Sequence, residues 1–355
     1  LAFAPLAMGA LILLFMDLSF NITMQPFRAL VTDMLDDSQK TEGFVIQTFL
    51  INLGAVIGAL LPLIMTWCGV SDAAVEGGVS RHIAYSYYIG GGILLLTVLV
   101  TAFKVKEYPP AEFAMYNGSE ETAVEEKKPG FITLMKNIPS TMLQLGVTQF
   151  FSWAALFLMW NYLKPLITSS FIDAAGTMVN TGAAETWTGV LNAVYPVPAC
   201  IASIFMTQIA NRFGNKPVYA ACLLSGALGY LGLTLIDNQY LMMIPMVFIG
   251  IAWAGILAMP YSILSRAIDA RSSGAYMGIF NFTITIPQIV MGLVGGSIVL
   301  AVKNAILSGS DYAALSAVEK VTVDSQAATW MIGIAALFML LAAISVFFVK
   351  EKETK

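Results

Sequence analysis

Asp17 lies in the middle of Leu1–Thr23, a run otherwise almost wholly apolar and long enough to cross a bilayer, with Asn21 one helical turn on and Arg28 two turns further. Hydrocarbon disfavours a charged carboxylate, so an acid in such a run needs a partner, a cavity or a proton, and its default reading is a functional site. On a helix of 3.6 residues per turn, Arg28 stands about three turns, roughly 16 Å, from Asp17 and on the same face. Asn21 and Met24 share that stripe, so one side of an apolar helix presents an acid, an amide, a thioether and a guanidinium. Such a stripe lines a cavity. An acid there can be neutral or charged according to small movements of its surroundings, which is how a proton is carried, and the chemistry points to a coupled transporter.

A second set of residues has the chemistry of sugar recognition, in which rings stack on sugar faces while amides and guanidinium groups pair with hydroxyls. Gln149, Trp153, Trp160 and Asn161 occur in one apolar run, Asn192 and Tyr195 in the next, and Asn281 and Gln288 in a later one. Asp33-x-x-Asp36-Asp37 allows a different class, a Mg²⁺-diphosphate site of an intramembrane prenyl-transfer enzyme. That site needs a second acidic cluster, and Asp269 stands alone between Arg266 and Arg271, so the acids are expected to end one helix and cap the next. No metal site or cofactor is expected. Cys68, Cys200 and Cys222 lack motif spacing, and His82 falls in an outer loop.

The elements that must position these residues follow from composition. Of 355 residues, 58% are hydrophobic and 11% charged, with a mean hydropathy of +0.77, against about 25% charged in a soluble domain. The fold class is therefore all-α and polytopic. About nine runs reach the length of roughly 20 apolar residues that a span needs: Leu1–Thr23, Phe44–Trp67, Ala84–Phe103, Met142–Tyr162, Trp187–Ile209, Val218–Ile236, Leu241–Leu264, Gly274–Val302 and Ala327–Val349. Pro196, Pro198, Pro260 and Pro287 are expected to bend or interrupt spans. A β-barrel is disfavoured because these runs do not alternate.

Orientation comes from the connectors, one alternate set of which holds fourteen of the eighteen Lys and Arg and the other set four. The basic set is cytoplasmic by the positive-inside rule, which puts the C-terminus inside and Leu1 outside. The Asn117-Gly118-Ser119 sequon then falls on the cytoplasmic side and goes unused. Leu1–Thr23 has no initiating Met or basic flank and is not a signal peptide; a preceding portion is expected to be missing. The expected organisation is a three-helix bundle over 1–104, a proline-broken cytoplasmic linker over 105–138 and a six-helix bundle over 139–355.

An internal echo connects the two bundles. Met24-Gln25-Pro26-Phe27-Arg28-Ala29-Leu30 ends the first span, and Met259-Pro260-Tyr261-Ser262-Ile263-Leu264 ends the seventh, six helices later. Parallel six-helix halves, with substrate held between them near the midplane, are the plan of major facilitator transporters. On that plan, nine of twelve helices are present. Asn211-Arg212-Phe213-Gly214-Asn215-Lys216-Pro217 resembles the basic, Gly-containing cytoplasmic turn that the superfamily repeats in each half.

Three ordered motifs sharpen the resemblance. Phe15-Met16-Asp17-Leu18-Ser19-Phe20-Asn21 with Pro26-Phe27-Arg28-Ala29-Leu30-Val31-Thr32-Asp33 resembles the fourth-helix signature of sucrose:proton symporters, Gly250-Ile251-Ala252-Trp253-Ala254 through Pro260-Tyr261-Ser262 their tenth, and Asn281 with Ile286-Pro287-Gln288 their eleventh. The chain is thus similar to the glycoside-pentoside-hexuronide:cation symporters. The resemblance implies cation coupling at Asp17, sugar binding at Arg28, and a family position in helix eight at Asn192. Asn161 and Lys164 stand where plant members carry acids. The expectation is a multi-pass protein of a bacterial inner membrane that moves a sucrose- or maltose-like α-glucoside with protons by alternating access. Asp17 would be the proton carrier, and Arg28, Asn21, Gln149, Trp153, Asn161, Asn192, Asn281 and Gln288 the sugar ligands. The alternatives are a Na⁺-coupled, melibiose-type carrier and a non-transporting sugar sensor in the bilayer.

Overall fold

Each apolar run becomes a helix or a pair of helices in the computed structural model, which describes residues 6–36, 38–70, 81–106, 112, 131–172, 183–268 and 273–350. The first three are α1 (Leu6–Met34), α2 (Lys40–Trp67) and α3 (Arg81–Lys104). A short α4 (Phe131–Lys136) precedes α5 (Ser140–Thr168), α6 (Ala183–Val194), α7 (Pro196–Phe213), α8 (Asn215–Leu235), α9 (Met243–Ser265), α10 (Ser273–Phe280), α11 (Phe282–Leu307) and α12 (Ala317–Val346). Eight stretches among the described residues are long and apolar enough to cross a membrane, with α6–α7 and α10–α11 each forming one of them. α1 contributes a further helix of 29 residues.

The prolines behave differently from one another. Pro196 opens α7 directly after Tyr195, Pro198 follows in the same first turn, and Pro260 and Pro287 sit inside α9 and α11 without interrupting them. The junction within the α10–α11 span falls instead at Asn281, whose carbonyl accepts from Ile284 N–H (3.0 Å) and Thr285 N–H (3.2 Å). α12 starts ten residues before its apolar run, because Ser316 and Glu319 close a capping box on its first turn. Asp36 orders the turn before α2 by accepting from Ser38 N–H (3.1 Å) and Oγ (2.7 Å), but the N-cap position itself is Gln39. Asp37, Asp269, Arg271, Asn117 and most of the linker lie outside the described residues.

The core lies in the carboxy-terminal bundle, where α5 packs on α12, α9 on α8 and α8 on α12. Leu145, Met159, Leu223, Tyr230, Ile249, Met331 and Met339 are completely buried there. α8 and α9 approach closely through small residues: a Cβ on Gly229 would meet the Pro245 carbonyl oxygen at 2.7 Å. α2 joins the first helices to this bundle by laying a buried stripe, Thr41, Phe44, Val45, Thr48 and Asn52, against α7 and α9. Its other face and most of α3 expose Leu, Ile and Val, as lipid-facing helices do.

Candidate functional site

The Asp17 stripe faces the carboxy-terminal bundle. Asn21 Nδ2 donates to the Asp17 carboxylate Oδ2 (3.3 Å) and backbone oxygen (3.0 Å), and Asn21 Oδ1 accepts from Asn281 Nδ2 (3.2 Å). An amide relay therefore runs from the acid of α1 to the junction of α10 and α11. Asp17 itself is exposed, one turn toward the outer end from that contact. Asn281 keeps helical torsions (φ −61°, ψ −24°) and its N–H donates to the Met277 carbonyl (3.1 Å), so α10 and α11 run on as one membrane span.

Two turns below, Arg28 is 4% exposed and stacks on Tyr261 of α9, its guanidinium carbon 3.9 Å from the ring centroid, while an N–H donates to the Tyr261 hydroxyl. Around it, polar contacts join the two sides at the end where the basic connectors lie. Thr41 Oγ1 meets Ser262 Oγ (2.7 Å) and accepts from Arg266 Nη2 (2.8 Å) and Asn215 Nδ2 (3.4 Å), and Ser273 Oγ donates to Asp33 (2.5 Å). The side-chain hydrogen bonds named here between α1–α2 and the later helices lie between this end and the level of Asn21. The side chains at the opposite end bond within the carboxy-terminal bundle, as Trp187 Nε1 does to the Gln239 carbonyl (2.8 Å) and Ser169 to Ser325 (2.7 Å). The named contacts thus draw α1 and α2 against the later helices at the basic end of the cleft.

The aromatic candidates converge. Trp153 and Trp160 of α5 form one cluster with Trp253 of α9 and Tyr195 at the α6–α7 break, with ring centroids 5.7 Å apart for Trp153–Trp253, 6.1 Å for Trp160–Trp253 and 6.0 Å for Tyr195–Trp253, all near edge-to-face. Trp153 is 7% exposed and its indole N–H has no acceptor; Asn192 Oδ1, on the same α6, is buried without a donor. Unpaired buried polar atoms are rare enough to need an explanation, and a ligand that supplies the missing partners is one.

A sequence profile of the Major Facilitator Superfamily matches residues 145–355, more than half of the chain. The chain belongs to the Major Facilitator Superfamily. Its fold is similar to the proton:xylose symporter XylE bound to 6-bromo-6-deoxy-D-glucose, with a TM-score of 0.61, 15% identity and coverage of 91% of this chain and 67% of that one. It is also similar to FucP, a superfamily transporter in the outward conformation, with a TM-score of 0.59, 15% identity and coverage of 92% and 72%. No curated protein matches the sequence.

The superfamily fold brings some sequence candidates together and separates others. Asp17, Asn21, Arg28 and Asn281 are linked between α1 and the later helices, and Trp153 lies in the aromatic cluster while Asn192 stands on α6 one turn before the cluster's Tyr195. Gln149 is fully buried inside the carboxy-terminal bundle, where its Oε1 accepts from the Tyr219 hydroxyl (3.1 Å). Asn161 is exposed and donates to the Phe157 carbonyl of its own helix (2.8 Å), and Gln288 is half-buried on α11. Trp253, Tyr261 and Thr41 join these contacts and were not among the candidates, while Tyr195 was, and Asn52 is buried on α2. Trp253 and Tyr261 stood in the quoted helix-ten motif, while Thr41 and Asn52 carried no sequence signal at all.

Proposed function

We propose that this superfamily member is a sugar:proton symporter of the glycoside-pentoside-hexuronide type, moving a sucrose- or maltose-like disaccharide by alternating access. The carrying observation is the relay from Asp17 through Asn21 to Asn281, which ties an acid in an apolar helix to an amide of the carboxy-terminal bundle. Residues 1–104 would form the helices present from one half and 139–355 the other half. Asp17 would hold the proton. Asn21 and Arg28 would bind sugar hydroxyls from one side, and Trp153, Trp253 and Tyr195 would offer ring faces and an unpaired indole N–H from the other. The likeness in fold to XylE, a proton:xylose symporter, supports a sugar as this class of cargo.

Coupling requires that proton and sugar bias the same equilibrium, since neither moves it without preferring one state. The test is uptake into vesicles of the full-length protein, with sucrose, maltose and melibiose as sugars, with and without Na⁺, read by internal pH and by accumulated sugar. Acidification on adding sugar, Na⁺-independent and abolished in Asp17→Asn with facilitated exchange retained, is the expected result. Unchanged proton-coupled accumulation in Asp17→Asn overturns the assignment, and accumulation that needs Na⁺ replaces the proton.

A further inference from the structure

One contact in the closed end of the cleft also belongs to the proposed substrate site. Tyr261 is 1% exposed, and its ring is wedged between Phe44 of α2 (5.9 Å) and Phe280 at the end of α10 (5.4 Å) while it holds the Arg28 guanidinium from α1. Four elements from both sides of the cleft therefore close on a single phenol. Among the described residues, Arg28 makes its polar contact with Tyr261 alone.

We propose that Tyr261 is the latch of the cytoplasmic gate, holding it shut through Arg28 and releasing it when a substrate takes the guanidinium N–H groups. This rests on the reading of Arg28 as a substrate ligand. The partner's chemistry fits the task. A buried carboxylate would hold the arginine too tightly for neutral hydroxyls to displace it, whereas a phenol oxygen and a ring face hold the cation by weaker contacts. The adjacent hub of Thr41, Ser262, Asn215 and Arg266 contains none of the sugar ligands, so it can close the gate but cannot report occupancy. Arg28 is the one proposed ligand that reaches both the cleft and the closure.

Two single-cysteine reporters in the full-length protein, with Cys68, Cys200 and Cys222 replaced by serine, test the latch in proteoliposomes. Thr32→Cys reports the cytoplasmic closure, because Thr32 is 2% exposed and its hydroxyl is unpaired, so the exchange is mild. Leu14→Cys, exposed one turn outward of Asp17, reports the outer cleft. Tyr261→Phe keeps the ring and removes the hydroxyl; it is expected to raise thiol labelling at position 32 about tenfold and to lower it at position 14. Tyr261→Leu should shift both further. A merely structural defect raises labelling at both sites, so the opposite movements distinguish a latch from a loosened fold. In the protein with Tyr261 intact, saturating sucrose or maltose should move the reporters in the same directions, with little added effect in Tyr261→Phe. Unchanged labelling at both sites in Tyr261→Phe overturns the latch, whatever the sugars do. A shift in Tyr261→Phe with no sugar response in the parent keeps the latch and overturns the sugar reading.

Discussion

Gly250→Ala tests whether the aromatic cluster depends on the close approach of α9 to the α6–α7 break. A methyl group on Gly250 would stand 2.3 Å from the Tyr195 carbonyl oxygen and 2.5 Å from Pro198 Cγ, where ordinary contacts begin at 3.4 Å. Both neighbours are backbone or ring, so neither can swing aside, and α9 must move off the break by about 1 Å. Overpacking of this kind costs about 1–3 kcal/mol, and the better helix propensity of alanine offsets roughly 0.5–1 kcal/mol of that. Gly58→Ala supplies the reference, because nothing lies within 4 Å of a Cβ at Gly58 and only the propensity gain remains. The two variants share that gain, so they differ by the overpacking alone, which at about 2 °C per kcal/mol separates their melting temperatures by roughly 2–6 °C. The displacement also opens the Tyr195–Trp253 contact, so sugar affinity should fall, by about tenfold if one aromatic pair is lost. Thermal unfolding in detergent and calorimetric titration with the transported sugar measure the two effects. If Gly250→Ala and Gly58→Ala melt within a degree of each other and bind alike, the close approach does not position the site.

Thr41→Val keeps the shape of the side chain but removes the oxygen shared by Ser262, Asn215 and Arg266, whose Nε is already buried without a partner. Closure at the basic end should weaken by about 2–3 kcal/mol, seen as faster amide hydrogen exchange in the first turns of α2 and the last turns of α9 and reversed by Thr41→Ser; unchanged protection removes Thr41 from the closure. Trp153→Phe deletes a buried indole N–H that has no partner among the described residues. It should lower sugar affinity about tenfold while the protein still unfolds cooperatively within a few degrees of the parent; undiminished affinity means that the N–H does not meet the ligand.

The positions of eight spans, and of the α1 helix over most of the first run, were legible because a run of apolar residues says little except that it must be helical in lipid. Where helices bend was less legible. Pro260 looks like a breaker and is accommodated inside α9, while the α10–α11 junction falls at Asn281, six residues before the proline expected to cause it. The Asp17–Asn21–Arg28 stripe could be read because helical periodicity within one element fixes which residues share a face. Gln149 could not be placed that way: an amide in an apolar run looks the same whether it faces a cavity or, as here, the Tyr219 hydroxyl of a neighbouring helix. The gate residues were invisible for a related reason. Thr41 and Ser262 are 221 positions apart, so only the fold makes them partners.

The chemistry of the closed end agrees with a cleft that must reopen. The cross-cleft contacts named above are hydroxyl and amide bonds, two arginines on neutral oxygens, and the Asp33 carboxylate accepting from Ser273. Neutral hydrogen bonds contribute about 0.5–1.5 kcal/mol each, whereas opening a buried ion pair costs about 3–5 kcal/mol. Moving a two-state equilibrium from 1:99 to 99:1 takes about 5.5 kcal/mol of differential binding. On the proposed coupling, a closure built from several weak contacts would be within reach of a proton on Asp17 together with sugar hydroxyls on Arg28, and one built from several buried ion pairs would not be. The weakness of each contact is therefore a requirement of transport, and replacing Ser262 with Asp opposite Arg266 would be expected to hold the protein shut.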